Sequence, residues 1–210
     1  MSSTPPLLLA TRSEGKLREL RPLFEAAGRR VIDLNDLGLE PDSEEDGIEQ
    51  FATFEENALA KARYFYEVSG GIATVADDSG LEVLALDNAP GVRSKRWAQS
   101  DGAPASSPAA DVDAANNAKL VEEIAAITDR RARYVCAAAY VGVGGTERVR
   151  RGEVAGTIVT PPRGTGGFGY DPYFLSEELG RTFGEASLQE KQRVSHRARA
   201  FRALLKDLDA

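Results

Sequence analysis

Apolar positions along the chain gather into short continuous runs, and between these runs the spacing lengthens to helical period. The runs at 7–11, 31–34, 72–76, 81–86 and 132–143 predict buried strands, and the alternation over 147–159 predicts antiparallel strands with one wet face. Leu17, Leu20, Phe24 and Ala27 share one helix face, although Pro22 inside that pattern predicts a kink or a break. Thr53 and Glu56 have capping-box spacing and open a second helix that turns Phe54, Ala58, Phe65 and Val68 inward, with Asn57 at the edge of the stripe. Gly70 and Gly71 close it. Residues 99–113 read as a surface loop, in which Asp111 caps a third helix that reaches Ile127 and buries Leu120, Ile124 and Ile127. Ser187 with Glu190 repeats the capping box, and Ser195 caps a terminal helix that buries Ala198, Phe201, Leu205 and Leu208. Strands alternating with helices give an α/β fold.

Composition narrows the class of partner. A net charge of −7 and a pI near 5.0 argue against a nucleic-acid polymer or an anionic membrane as the main ligand. A small polyanion remains compatible, because a few local cations outweigh the global field. One cysteine excludes an internal disulfide framework and one histidine excludes a multi-His metal site. Cys136, inside an apolar run, reads as a packing residue. The sequence shows neither a charged-then-apolar leader nor an apolar run of about 18 residues, so a cytoplasmic location is expected. The length suits one domain, 1–210.

Six places carry candidate chemistry. Lys61 lies in the middle of the second helix's apolar stripe, where it must snorkel, pair with an acid or meet an anionic ligand. The run 72–76 delivers Asp77, Asp78, Ser79 and Gly80 just past a strand's end, where α/β sheets commonly place ligands. Adjacent carboxylates suit a hard divalent cation, or else an ordinary turn; the inward Lys61 favours the cation with an anion beside it. Arg12, Ser13, Glu14, Gly15 and Lys16 join the first strand to a helix, a geometry that aims N–H groups and a lysine at phosphates. The loop 35–52 is acidic, with Glu44, Glu45 and Glu49 among its carboxylates, and reads either as a solvated face or as a source of metal ligands. Residues 163–172 hold four glycines around Phe168 and Tyr170, whose rings can stack on a base. His196 and Arg197 fall in the first turn of the terminal helix, which favours an anion. No residue reads as a covalent nucleophile.

The segments 53–62, 76–83, 89–98, 164–172, 187–191 and 195–197 together resemble the inosine triphosphate pyrophosphatase family over nearly the whole chain. The resemblance implies an elongated mixed β-sheet flanked by helices, with two lobes around a central nucleotide cleft. It implies Mg²⁺-dependent hydrolysis of deaminated purine nucleoside triphosphates (ITP, dITP, XTP) to monophosphate and pyrophosphate. It also implies a homodimer and a small-molecule substrate, with no nucleic-acid or membrane partner. Asp78 becomes the catalytic base and a metal ligand. Glu44 or Glu45 supplies the second metal carboxylate, with Glu49 the further alternative, because the acidic loop is longer than the family's. Substrate contacts fall to Thr11, Arg12, Ser13, Glu14, Gly15, Lys16, Asn57, Lys61, Ser79, Phe168, Gly169, Tyr170, Asp171, Lys191, His196 and Arg197. Arg12 and Ser13 stand where the family has glycine and asparagine. Base choice is expected from N–H donors of the loop 164–169 and of the turn after Ser195. Two other classes use similar parts: a nucleotidyltransferase, and a nucleotide sensor that binds without turnover.

Overall fold

The computed structural model describes residues 5–101 and 109–209. Seven strands, β1 (Leu7–Leu9), β2 (Val31–Asp33), β3 (Thr74–Val83), β4 (Arg131–Gly142), β5 (Thr146–Ile158), β6 (Phe174–Ser176) and β7 (Arg181–Thr182), form one sheet in the order β2-β1-β3-β4-β5-β6-β7. β1 pairs in parallel with β2 and β3, whereas β6 pairs antiparallel with β5 and β7, so the sheet is mixed as expected. Among the described residues five α-helices accompany it: α1 (Glu14–Ala26), α2 (Phe54–Val68), α3 (Ala109–Glu123), α4 (Leu188–Val194) and α5 (His196–Leu208). None of the described helices is long and apolar enough to cross a membrane.

The chain divides into two compact units, and the boundaries fall inside β3, β4 and β5 and between α4 and α5. The first holds residues up to Asp78, Cys136–Gly152 and the chain from His196 onward. Its core is Leu7, Leu9, Leu20, Leu23, Phe24, Val75, Phe201, Leu204 and Leu205, with the Phe24 and Phe201 rings edge to face at 5.7 Å. The second holds Ser79–Val135 and Glu153–Ser195. There Tyr134, Phe174 and Phe183 pack with Leu81, Val83, Leu120 and Ile124.

Several expectations change. α1 runs unbroken through Pro22. The missing N–H would have bonded the Arg18 carbonyl, and both residues lie on the exposed face, where water replaces the lost bond. Leu23 joins the buried face and Ala27 is exposed, because the helix ends before it. Val68 is also exposed, at the last residue of α2. Asp111 lies inside α3, which starts at Ala109 and stops at Glu123; of the expected loop at 99–113, residues 102–108 lie outside the described residues. Most consequential, residues 77–80 are not a turn: β3 continues through them. Its parallel neighbour β1 ends at Leu9, level with Val75, so Asp77 and Asp78 still stand beyond the carboxyl end of β1.

Gly152 lets β5 approach the start of α5. A Cβ there would come within 2.3 Å of the His196 carbonyl oxygen and 2.5 Å of the Ala200 nitrogen. Both are backbone atoms that no rotamer change can move. Gly152→Ala should therefore cost roughly 1–3 kcal/mol, the usual range for overpacking, and displace the turn bearing His196 and Arg197. Urea unfolding checks this: a midpoint equal to wild type would show that α5 yields without cost.

Candidate active site

In the first unit, the chemistry-bearing side chains converge around two adjacent residues of β3. Asp77 is almost fully buried and its Oδ2 meets three groups: Lys16 Nζ at 3.1 Å, Arg197 Nε at 3.1 Å and Cys136 Sγ at 3.7 Å. Lys16 also donates to the Asp77 carbonyl at 3.4 Å. Burial pushes this carboxyl up, but Lys16, Arg197 and Lys61 overcome it and hold Asp77 far below the usual carboxylate range. The Arg197 Nη1 donates to Glu19 Oε2 at 2.5 Å, and the guanidinium is only 3% exposed. Its charge is thus held between two buried acids. Cys136 is pushed well above the usual thiol range by burial and by the Asp77 charge, which makes it inert packing with a weak S–H donor.

Asp78 has the opposite environment. Burial, then the charge of Glu49, drive its pKa up to about 6, against the pull of Lys61, Lys16 and a hydrogen bond from Asn57. Asn57 Nδ2 donates to Asp78 Oδ2 at 3.0 Å, while Asn57 Oδ1 accepts the Phe51 N–H at 2.9 Å. α2 supplies Asn57 and Lys61 one turn apart, and the N-cap Thr53, which accepts the Glu56 N–H, fixes where that helix begins. Lys61 is buried and paired with Glu49. Burial pushes its ammonium down, but Glu49, Asp77 and Asp78 more than offset this and raise it. Of the alternatives read from sequence for Lys61, the structure shows the pairing with an acid.

Other expected residues take supporting places. Ser13 is the N-cap of α1 and accepts the Lys16 N–H, and the Thr11 hydroxyl accepts the Ser13 N–H. Glu14 is exposed in the first turn, beside Gly15. Arg12 forks onto Glu45 and donates to the carbonyls of Leu39 and Glu40, so this arginine anchors the acidic loop. Glu45 is correspondingly engaged by Arg12 and by the Asp42 N–H, and Glu44 is exposed. Glu49, the third choice from sequence, is the loop acid whose charge reaches Asp78. His196 is buried at the start of α5.

In the second unit, the glycine loop is organised by Asp171. Its Oδ2 accepts the Phe168 N–H at 2.9 Å and meets the buried Lys191 ammonium at 2.5 Å. That ammonium lies 5.0 Å from the centroid of the partly exposed Phe168 ring. Gly167 is obligatory, since its φ is +73° and a Cβ would lie 2.0 Å from Asp171 Oδ2. Tyr170 does not offer a ring for stacking. It is buried in the core, and its hydroxyl donates to the Ser94 carbonyl at 2.9 Å. Three of the expected loop donors are also spoken for: the Gly166 N–H goes to Gly184, that of Phe168 to Asp171 and that of Gly169 to Asp113. Ser79 is the residue after Asp78 in β3.

Three cations (Lys16, Lys61, Arg197) thus accompany four carboxylates (Glu19, Glu49, Asp77, Asp78) in the first unit, an excess of one negative charge when Asp78 is ionised. Asp77 Oδ1 is buried without a hydrogen-bond partner. Among the described residues no group of three or more His, Cys, Asp or Glu side chains could hold a metal. Asp78 and Glu49, close enough for the charge of one to raise the pKa of the other, offer the one or two carboxylates that Mg²⁺ takes when water and phosphate fill its other positions. Glu19 and Glu49 are the acids sequence reasoning missed or ranked low. Glu19 follows Lys16 by three residues on one helix face, which was a readable signal; its partner Arg197 is 178 residues away, which was not.

The model of the Ham1 family matches residues 7–207. A dITP/XTP pyrophosphatase of Syntrophobacter fumaroxidans is 44% identical, covering 97% of this chain and 82% of that protein. One from Ralstonia nicotianae is 45% identical over 96% of each. Among solved structures, the Ham1 protein of Staphylococcus aureus superposes with a TM-score of 0.79 at 34% identity, covering 97% of this chain and 98% of that one. A nucleoside-triphosphatase, dITP/XTP pyrophosphatase, from Mycobacterium abscessus gives 0.70 at 40% identity, over 97% and 99% of the two chains.

Asp78 makes stability depend on pH with a defined sign. A carboxyl whose native pKa lies above its unfolded value stabilises the fold while protonated, and that contribution is lost as pH rises from about 4 through about 6. Asp77, depressed, acts oppositely: its contribution is present above about pH 4 and lost on acidification. In chelator, Asp78→Asn should therefore gain stability over wild type as pH rises from 4.5 to 7.5, by about 2 kcal/mol. Paired melting curves across that range test it, and a difference independent of pH would refute it.

Proposed function

The chain belongs to the Ham1 family, and from that premise we propose that it hydrolyses non-standard purine nucleoside triphosphates to monophosphate and pyrophosphate, with Mg²⁺. The observation that carries this reading is Asp78, a buried carboxyl poised near neutrality beside Lys16 and Lys61. In the metal-free protein its pKa of about 6 lies in the range that suits a general base at neutral pH. Asp78 takes a proton from water as the water oxygen bonds to the α-phosphorus. The bond from that phosphorus to the bridging oxygen breaks, and pyrophosphate leaves with its electron pair. Lys16 and Lys61 stabilise the charge on the phosphate oxygens, as phosphoryl transfer requires of its surroundings. Asp78 and Glu49 would hold the Mg²⁺, which when bound supplies charge neutralisation of the phosphates. Asp77 keeps Lys16 in place, and Arg197, enclosed by Glu19 and Asp77, maintains that anchor and is not a phosphate ligand of its own.

Base choice follows from donor and acceptor order. Hypoxanthine and xanthine present an N1–H donor beside an O6 acceptor, and adenine presents the reverse. Lys191 is a donor only and ionised Asp171 an acceptor only, so the pair matches a 6-oxopurine and opposes adenine. Phe168 supplies the stacking face. A mismatch of this kind leaves buried polar groups unpaired, and such sites discriminate by up to roughly 10⁴. The family resemblance further supports a homodimer, which sedimentation velocity tests directly.

The deciding assay compares kcat/KM for ITP, XTP, dITP, GTP and ATP with Mg²⁺, identifying monophosphate and pyrophosphate as products. ITP and XTP should exceed ATP by at least about 10²-fold. Equal rates for ITP and ATP would refute the base reading and leave the hydrolysis standing. For the metal, Glu49→Gln should raise the Mg²⁺ concentration needed for half-maximal rate by roughly tenfold or more, the usual scale for losing a charged interaction. Glu44→Gln and Glu45→Gln should leave it within about twofold. A larger effect at Glu44 or Glu45 would return the ligand to the loop's exposed end.

A further inference from the structure

Gly169 is held from both sides by one turn of α3. Its N–H donates to Asp113 Oδ2 at 2.7 Å, and its carbonyl accepts from Asn117 Nδ2 at 3.1 Å. The two side chains are four residues apart and so share a helix face. α3 is itself fixed: Asn116 accepts the Ala98 N–H at 2.8 Å and donates to the Lys95 carbonyl at 3.1 Å, while Leu120 and Ile124 enter the core. Gly169 has a φ of +60° with open space where a Cβ would be, so conformation and not crowding demands glycine there. The grip falls between Phe168, whose N–H is tied to Asp171, and Tyr170, whose hydroxyl is tied to Ser94. Neither member has a ring or a cation suited to a triphosphate. Both are spent on one peptide unit next to the stacking residue.

We propose that Asp113 and Asn117 are specificity-positioning residues, which lock the Gly169 peptide and thereby set Phe168 and Asp171 for the purine base. The proposal rests on the reading of loop 168–171 as the base-recognition element. A loose loop lets the ring and the carboxylate adapt to adenine as readily as to a 6-oxopurine. Losing the clamp therefore erodes discrimination and raises KM without touching the hydrolytic step, whose groups lie in the first unit.

The test uses the full-length enzyme with Mg²⁺, in wild type, Asp113→Ala, Asp113→Asn and Asn117→Asp forms. Asparagine at 113 keeps an acceptor for the Gly169 N–H; aspartate at 117 keeps size but sets an acceptor against the Gly169 carbonyl. Asp113→Ala should raise KM for ITP roughly tenfold with kcat within about twofold, the scale of a charge-assisted hydrogen bond. It should lower the ITP-to-ATP ratio of kcat/KM by a similar factor and speed amide exchange at Gly169. Asp113→Asn should recover most of each effect, and Asn117→Asp should behave like Asp113→Ala, which keeps the test decisive if the alanine variant does not fold. A selective wild type matched in KM and ratio by the folded clamp variants overturns the positioning role alone. A fall in kcat with KM unchanged also overturns it. A wild type indifferent to the base overturns both this role and the base reading.

Discussion

A carboxylate shared by two cations, one partly buried and one fully enclosed, is the interaction on which the first unit's chemistry depends. Asp77 could not be buried as an ion alone, since desolvation would neutralise it. Lys16 from α1 and Arg197 from α5 make the charge tolerable, and Glu19 in turn makes Arg197 tolerable. Each member would be costly without the others, which is the condition under which a buried ionic cluster specifies one arrangement of its elements. The cluster therefore joins β3, α1 and α5 at a defined register and leaves Asp78, its neighbour in sequence, to do different work.

Two consecutive aspartates end up with pKa values pushed in opposite directions because β3 alternates its side chains. Asp77 is held by the charges of Lys16, Arg197 and Lys61, whereas Asp78 feels the charge of Glu49 and accepts from the amide of Asn57. The split assigns their tasks: the permanently ionised residue is scaffold, and the one that titrates near neutrality is suited to moving a proton. A turn at 77–80 would not have enforced this, since a turn does not send neighbouring side chains to opposite faces.

Much of this was legible in the chain. Lys61 in an apolar stripe announced a buried charge before any fold was known, and the strand–turn–helix pattern around Lys16 is the one observed, with Ser13 capping α1. Local signals failed where distant contacts decide. Asp77–Gly80 has turn composition, but pairing within the sheet kept it extended, as tertiary context overrides propensity. Phe168 and Tyr170 are equivalent by sequence; the Ser94 carbonyl, 76 residues before Tyr170, draws one ring into the core and leaves the other at the surface. The acidic loop offered several equal carboxylates, and only Arg12 gripping Glu45 and Lys61 gripping Glu49 gave them separate duties. Asp113 and Asn117 carried no signal at all, because a helix face of polar residues ordinarily means solvent.

The pairing of Glu49 with Lys61 changes the nature of ligand entry. Glu49 already has a cationic partner inside the folded protein, so under the proposed metal role an ion would meet a carboxylate whose charge is already shared. Such an ion competes with a tethered ammonium, and a weakly binding monovalent ion gains little from that competition. In the proposed mechanism the hold of Glu49 on Lys61 would loosen as the ion arrives, which couples entry of the ion to availability of the lysine.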